Sequence, residues 1–508
     1  MGKSFTIGCS IFATTGSFIY GYDSGLFKGI ISTTLGQASF PAYFNNPSDN
    51  LTGAIVSTYS GGQGVGNLVG GYLGDKLGRK KTIWLAANLA LVGAILQTAA
   101  VSISMFLVGR ILAGFAVGLV YAISSIYNAE IAPPKIRGVL VGLQTQLISL
   151  GYATSNWIGT FGSFAKGDAA WRLPLGIQCV PAVILIIGLF WLPESPRWLI
   201  QEGKYEKAHA VIKKLHSDID QGSDFVNREF DQIKRQIDYE REVTIKSFWA
   251  LFSKASSRKR LMLGILLQVF LQTTGINVVN YYQTTLFKGV GIQGRNVLWL
   301  SCGYGMMGPI ANVICLMYID RVGRRLPLAW CSVGLVVNVT LLTIFSKEFA
   351  GSDNVVGQGF TIAWMFTFSF IFSLGYNAIQ LVYIAEIFPM ALRSRATAIC
   401  AFIGTATGLL FNQLSPKAFN SIGWRYYIVF LICDAVAAAC FFLIFPETKG
   451  KSLEEIAEIF GDQVAYSERV GVVGVKDIGG AAMGEVGATV VGKKRDDDHN
   501  GMAVHIER

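Results

Sequence analysis

The amino-acid sequence predicts an all-α membrane protein with twelve membrane-crossing helices in two related halves. Three observations carry this. First, 52% of the 508 residues are hydrophobic and only 15% are charged, where a soluble protein carries about 25% charged residues. Mean hydropathy is +0.44, and the apolar residues run in blocks near the ~20 residues a helix needs to cross a bilayer. Second, basic residues gather in every second short loop. Third, one loop signature occurs twice. Gly74-Asp75-Lys76-Leu77-Gly78-Arg79-Lys80-Lys81 and Asp320-Arg321-Val322-Gly323-Arg324-Arg325 lie about 245 residues apart, each between two apolar runs. A repeated acid, turn glycine and basic cluster marks an internal duplication, an organisation found in transporters built from two halves around a central site.

The elements follow in order. Six apolar blocks at about 5–31, 52–73, 82–104, 105–128, 138–161 and 174–192 make the first half, residues 1–192. Several contain Pro or many Gly, which membrane helices tolerate. A polar insert, 193–260, alternates charged and apolar residues at helical spacing. Ala208, Val211, Ile212 and Leu215 share one face, as do Phe230, Ile233 and Ile237, so short amphipathic cytoplasmic helices are expected to join the halves. Blocks at about 261–285, 298–318, 326–346, 359–384, 394–415 and 425–445 make the second half, 261–445. A cytoplasmic tail, 446–508, follows; past Gly461 it is rich in Gly, Val, Ala and charge and reads as disordered.

The net charge is +10, but its distribution does not describe a nucleic-acid surface. Lys76, Arg79, Lys80, Lys81, Lys135, Arg137, Arg321, Arg324, Arg325, Arg393 and Arg395 lie in alternate loops, which places both termini in the cytoplasm. The sequon at Asn50 then falls in the first external loop, where glycosylation is possible; the sequon at Asn338 lies inside a span and should be silent. The eight cysteines are scattered without metal or redox spacing and read as apolar packing residues. The first apolar block contains Asp23 and continues past it, unlike a cleavable signal peptide.

A set of motifs adds a family resemblance. Gly21-Tyr22-Asp23 lies in the first span, Gly109-Arg110 in the fourth, and Glu130-Ile131-Ala132-Pro133 with Arg137-Gly138 after it. Pro193-Glu194-Ser195-Pro196-Arg197-Trp198-Leu199 follows the sixth span. Gln272 with Gly275-Ile276-Asn277 lies in the seventh, and Pro446-Glu447-Thr448-Lys449-Gly450 follows the twelfth. With the two loop signatures, the chain resembles the sugar porter family of the major facilitator superfamily to about Phe460, and the stretch Gly423–Phe430 looks most like fungal members. The resemblance implies two six-helix bundles with alternating access to a midplane sugar site.

Site residues follow from physics and resemblance together. Asp23 in an apolar helix costs roughly 2.5–3.5 kcal/mol on insertion scales, so it needs a partner, a proton or a wet cavity. The family pattern places Arg110 beside it, and protonation of Asp23 would release Arg110 and bias one conformation. A permanent structural ion pair is the alternative. By resemblance Asp75, Arg79, Glu130 and Arg137 in one half and Asp320, Arg324, Glu386 and Arg393 in the other form a cytoplasmic gate of ion pairs holding the halves together. Gln146, Gln272 and Asn277 match family sugar contacts, and Tyr281, Tyr282, Phe372 and Asn377 are further candidates for the amide-and-aromatic lining that sugars need.

Three positions depart from the family pattern: Leu271 in place of a glutamine, Gly308 near an expected asparagine with Asn312 one turn on, and Leu381 in place of a sugar-stacking tryptophan. They put glucose selectivity in doubt. Lys28 stands about 140° around an ideal helix from Asp23 and ~7.5 Å outward. It either snorkels or offers an outer cation to an acidic sugar or related anion.

The implied function is import of a sugar across the plasma membrane with a proton, by a protein that works as a monomer among membrane lipids. A facilitative uniporter and a non-transporting sugar sensor are the alternatives. No nucleophile, metal or cofactor constellation supports an enzyme, and no cofactor is expected.

Overall fold

The structure, a computed structural model, describes residues 2–30, 39–131, 137–216, 222–243, 250–292, 294–349, 354–451 and 453–461. The side chains of Lys28, Asn50, Arg137, Tyr281, Tyr282 and Asp320 lie outside the described set, as does the whole tail from 462 that the sequence reads as disordered. The described residues are helical, with no strand among them.

In the first half α1 (Gly2–Ala13) and α2 (Thr15–Ile30) form one span broken at Thr14, whose hydroxyl donates to the Ser10 and Ile11 carbonyls at 2.8 Å. A short α3 (Ser39–Tyr43) leads to α4 (Asp49–Leu77), α5 (Arg79–Thr98), α6 (Ile103–Ile131) and α7 (Arg137–Gly162). The sixth span is α8 (Ala169–Ile177) and α9 (Cys179–Gly188), interrupted around Gln178 between Pro174 and Pro181. The insert forms α10 (Pro196–Gln201), α11 (Tyr205–His216), α12 (Gly222–Val243) and α13 (Ala250–Ser253). Trp198, Leu199, Ile200, Ala208 and Ile237 make its small core, with Val211, Phe230 and Ile233 against it, which is the amphipathic pattern of the sequence.

The second half begins with α14 (Ala255–Thr273) and α15 (Ile276–Gly289), one span broken at Gly275, whose φ of +87° is left-handed. Then come α16 (Asn296–Val322), α17 (Arg325–Phe349) and α18 (Val355–Phe372), which passes through a π-helical turn, Ser373–Asn377, into α19 (Ala378–Ile387). The last helices are α20 (Met390–Ile422), α21 (Tyr427–Leu443) and α22 (Leu453–Ile459).

Among the described residues nine segments are both long and apolar enough to cross a membrane. The other three of the twelve expected spans, at 2–30, 49–77 and 137–162, are as long but less apolar. Helices α2, α4 and α7 place polar residues on the interior cavity described below.

Close helix contacts depend on glycine. A Cβ at Gly66 of α4 would lie 2.2 Å from the Phe115 carbonyl oxygen on α6, and one at Gly21 of α2 would lie 1.8 Å from that of Ile148 on α7. Small residues let backbones approach where lipid supplies no hydrophobic drive between helices. The halves meet along two seams, α4 with α20 and α7 with α16, and α2 also touches α15.

Candidate functional site

A cavity of about 180 Å³ lies midway along the helices, between the halves. Tyr20, Ser24, Tyr59, Gln63 and Tyr121 form one wall, and Ser149 and Tyr152 continue it on α7. Gln268, Gln272, Asn277 and Asn280 face them from the broken seventh span, with Phe372, Asn377 and Gln380 from the tenth and Asn412 from α20.

The amides are largely pre-arranged. Asn277 Nδ2 donates to Gln272 Oε1 across the break at Gly275. Gln268 Nε2 donates to Gln380 Oε1 at 3.1 Å. Ser149 Oγ accepts from Asn377 Nδ2 at 3.1 Å and from Asn312 Nδ2 at 2.6 Å. The Tyr152 and Tyr304 hydroxyls both donate to Asn280 Oδ1, at 3.4 and 2.8 Å. Such a set of fixed donors and acceptors beside aromatic rings suits a polyhydroxylated ligand.

Of the expected contacts, Gln272, Asn277, Phe372 and Asn377 line the cavity. Gln146 does not. Helix α7 presents Thr145, Ile148, Ser149 and Tyr152, spaced at helical period, so Gln146 is turned about 100° away; its Oε1 is buried without a partner. Leu271, Gly308 and Leu381, the three departures, all line the cavity. Asn312 instead spans to α7, donating to the Thr145 carbonyl as well as to Ser149.

Gln268, Asn280 and Gln380 were not singled out from sequence. Each sits one helical turn from a residue that was, at i−4 from Gln272, i+3 from Asn277 and i+3 from Asn377, which is the available signal.

Asp23 and Arg110 meet beside this cavity. Arg110 Nη1 donates to Asp23 Oδ1 at 3.2 Å, with Asp23 2% exposed and Arg110 fully buried. Arg110 Nε donates to the Ile55 carbonyl at 3.2 Å, and its guanidinium lies 4.2 Å from the centre of the Tyr59 ring. Cavity wall and ion pair are therefore in contact through Tyr59.

A second set of charges occupies the end of the molecule where Gly78 and Gly323 turn the chain, here the basic end. Arg79 grips Glu130 with two hydrogen bonds of 2.9 and 2.8 Å, reaches the Gly74 carbonyl at 2.9 Å and lies 3.5 Å from Asp75. Arg324 pairs with Glu386 at 2.8 Å and reaches the Ile319 carbonyl at 3.2 Å. Each of these pairs lies within one half. Across the halves, Arg395 lies close enough for its charge to act on Asp75. A one-residue turn at Gly78 sets Arg79 at the start of α5, and a two-residue turn, Gly323 and Arg324, sets Arg324 just before α17, each next to a glutamate near the end of a neighbouring helix. Hydrogen bonds among the described residues that cross the halves toward this end include Ser394 Oγ to the Gly71 carbonyl, 3.1 Å, and Asn67 Nδ2 to Thr405 Oγ1, 3.3 Å. Arg393 donates to the Phe388 carbonyl of its own half. Arg137 and Asp320 lie outside the described side chains.

The duplication is visible in two further acids. Glu194 Oε1 accepts the backbone N–H groups of Arg79, Lys80 and Ser195 at 3.0–3.1 Å. Glu447 accepts those of Arg324, Arg325, Thr448 and Lys449, all at 2.9 Å. Each caps a helix start. Tyr127 donates to the Pro193 carbonyl and Tyr383 to that of Pro446 in the same way. Burial pushes the Glu194 carboxyl up, against its three amide donors. Burial also pushes Glu447 up, but its four donors outweigh it and hold the group below the usual glutamate range.

Asn50 lies in the first turn of α4, with its side chain outside the described set. Asn338, the sequon expected to be silent, is buried in α17 and donates to the Trp364 carbonyl at 3.2 Å.

The family described as "Sugar (and other) transporter" matches residues 9–460. The chain belongs to this family. As a member of it, the protein is a multi-pass membrane transporter. The sugar-porter resemblance is matched among individual relatives. The MFS-type transporter criB of Aspergillus cristatus is 34% identical over 463 residues, covering 91% of this chain and 95% of that one. The High-affinity glucose transporter of Kluyveromyces lactis is 29% identical over 472 residues, covering 89% and 84%. The solved MFS proton:xylose symporter XylE bound to 6-bromo-6-deoxy-D-glucose shares the fold, with a TM-score of 0.78 over 91% of this chain and 100% of that one, at 24% identity. The major facilitator architecture of this transporter follows.

Proposed function

We propose that this transporter imports a sugar together with a proton, by alternating access, across the plasma membrane. Both termini and the basic end lie in the cytoplasm, which agrees with the concentration of arginine and lysine there. Residues 1–192 and 261–445 act as the two moving bundles, and 193–260 links them. The observation that carries the proposal is the buried Asp23–Arg110 pair next to an amide-lined cavity. A carboxylate at that depth is stable while paired. Protonation would free Arg110 and, through Tyr59, alter the cavity wall. An inward-negative potential adds about 2.3 kcal/mol per charge per 100 mV, enough to drive accumulation. The names of two relatives, a glucose transporter and a proton:xylose symporter, support the substrate class and the coupling ion.

The substrate is not plain glucose at its best. Leu271, Gly308 and Leu381 remove two hydrogen-bonding groups and an aromatic platform from the cavity wall, while Gln268 and Gln380 add amides beside them. A pentose, an oligosaccharide or a sugar acid fits that wall.

The test is uptake in yeast cells stripped of their own hexose carriers, with external pH recorded. Substrate-dependent alkalinisation with accumulation is expected. Saturable uptake without alkalinisation would make the protein a facilitator. Sugar signalling without uptake would make it a sensor.

A further inference from the structure

A second carboxyl group is buried in the membrane, in the other half, and the Asp23–Arg110 pair does not involve it. Asp434 lies on α21, which is one of the nine apolar spans. It is 1% exposed, and among the described residues neither of its oxygens has a hydrogen-bond partner. Among the described residues no cation pairs with it. An ionised carboxylate in that setting has neither solvent nor counter-charge, which is the most unfavourable state for the group.

Its neighbours make the position specific. Helix α21 packs on α17 and on α14. One turn before Asp434, Phe430 fills the space beside Gly275, where a Cβ would meet its ring at 2.9 Å. Two turns after it, Phe441 packs edge-on against Tyr376 of the π-helical turn, 5.8 Å between ring centres. The two irregular segments of this half, the break at Gly275 and the π turn at Ser373–Asn377, thus both rest on the α21 face that carries Asp434. Both also supply cavity residues, Gln272 and Asn277 at the first and Asn377 at the second.

The titratable groups around it are few. Among the described residues its charge would act on Tyr376 of the π turn and on Cys433 beside it. The Ser332 hydroxyl on α17 donates to the Leu328 carbonyl at 2.7 Å, so the Tyr376 hydroxyl, 2.7 Å from Ser332 Oγ, is left to donate to it. The phenol oxygen then offers lone pairs only. A neutral carboxyl group suits that neighbour and a carboxylate does not. Cys331 on α17 is a further titratable group, and α14 presents the uncharged Thr273. Arg325, at the start of α17, is committed two turns away to the Phe441 and Phe442 carbonyls.

We propose that Asp434 is a second proton-binding site, occupied in this conformation, whose proton keeps the Gly275 break and the π turn packed as they are here. The inference does not depend on Asp23 being the coupling acid. Losing the proton would favour any conformation that hydrates Asp434, so the population of the present one falls as pH rises.

Infrared spectroscopy of the purified transporter in lipid tests it, in an Asp23→Asn background so that the other acid is silent. A carboxylic-acid carbonyl band at neutral pH that disappears in Asp434→Asn is expected. Cysteine accessibility at the cavity should change with rising pH in the Asp23→Asn protein and stay constant in the Asp434→Asn double variant, because asparagine mimics the protonated acid. A band unchanged by Asp434→Asn overturns the proposal. So does a pH response of accessibility identical with and without Asp434. If the double variant fails to assemble, pH titration of the band in the Asp23→Asn protein decides alone: a band that never titrates makes Asp434 a fixed structural acid and ends the proposal.

Discussion

The Tyr59 ring covers the Arg110 guanidinium at 4.2 Å and also lines the interior cavity. A cation on an aromatic face is worth up to about 2 kcal/mol when desolvated, so any ligand that shifts Tyr59 also acts on the partner of Asp23. The cavity wall and the buried ion pair thus share one side chain.

Replacing Asp23 with asparagine should separate those functions. Arg110 keeps its bond to the Ile55 carbonyl and its contact with Tyr59, so folding and downhill exchange survive. Accumulation against a gradient is lost. Counterflow and net uptake measured on the same vesicles distinguish the two, and normal accumulation in the variant would remove Asp23 from coupling.

Gln272→Ala and Asn277→Ala each break the amide pair across Gly275. Substrate binding should weaken by about 1–3 kcal/mol in each, because the remaining polar partners are left unsatisfied. The double variant should cost less than the sum, since the two residues share one bond. Equilibrium binding of labelled substrate checks both statements.

Leu381→Trp should restore an aromatic surface at the cavity wall. Glucose competition is expected to improve by on the order of 1 kcal/mol, from covering an apolar sugar face. The better substrates of the parent should lose ground where the larger ring occupies their space. A competition panel of glucose, pentoses, disaccharides and uronates reads this directly. Glucose ranking first in the parent would contradict the substrate reading.

Arg79→Ala leaves Glu130, 8% exposed at its side chain, without its bidentate partner. Removing one member of a buried pair costs about 3–5 kcal/mol. Arg324→Ala should cost less, since Glu386 keeps a 2.6 Å hydrogen bond from Thr448 and is 26% exposed. Melting temperatures in detergent should fall in that order, and transport rate should fall more than substrate affinity in both.

Glu447 and Glu194 should respond oppositely to pH. The folded Glu447 carboxyl lies below its unfolded value. Its contribution is therefore present above the ordinary glutamate range and lost as pH falls through the folded value. Glu194 is raised by burial, so its contribution is present below the ordinary range and lost as pH rises through its folded value. Glu447→Gln should then destabilise most at neutral pH, with the gap to the parent closing on acidification. Glu194→Gln should show the reverse trend. Thermal melts across pH 4–7 measure both slopes.

Much of this was legible in the chain. The buried acid at Asp23 and its partner at Arg110 come together as expected, because an apolar helix leaves a lone charge few options. Gln272 and Asn277 reach the cavity for a related reason: Gly275 breaks the helix between them and turns both inward. Gln146 lies off the cavity-lining face of α7, because a one-residue offset on a helix is a rotation of about 100°. The pairing of Gln268 with Gln380 was hidden, since no local pattern announces which of many amides will meet across 112 residues. The charge clusters gather at one end, where Arg79 and Arg324 each pair with a glutamate of the same half. Loop composition records which charges are present and not which helix ends a short turn will bring together.

Those short turns have a consequence for biosynthesis. Glu194, which caps the start of α5, follows the sixth span, and Glu447, which caps the start of α17, follows the twelfth. Arg79, Glu130 and Glu194 have therefore all been made before the second half is translated. The N-terminal bundle can lock its own helix ends early, as units that fold in order of synthesis do. The C-terminal bundle stays open at the corresponding corner until residue 447 is made. Chains truncated just before Glu194 or Glu447 should stall with one hairpin unfastened, and quality control would meet the growing transporter at two such checkpoints.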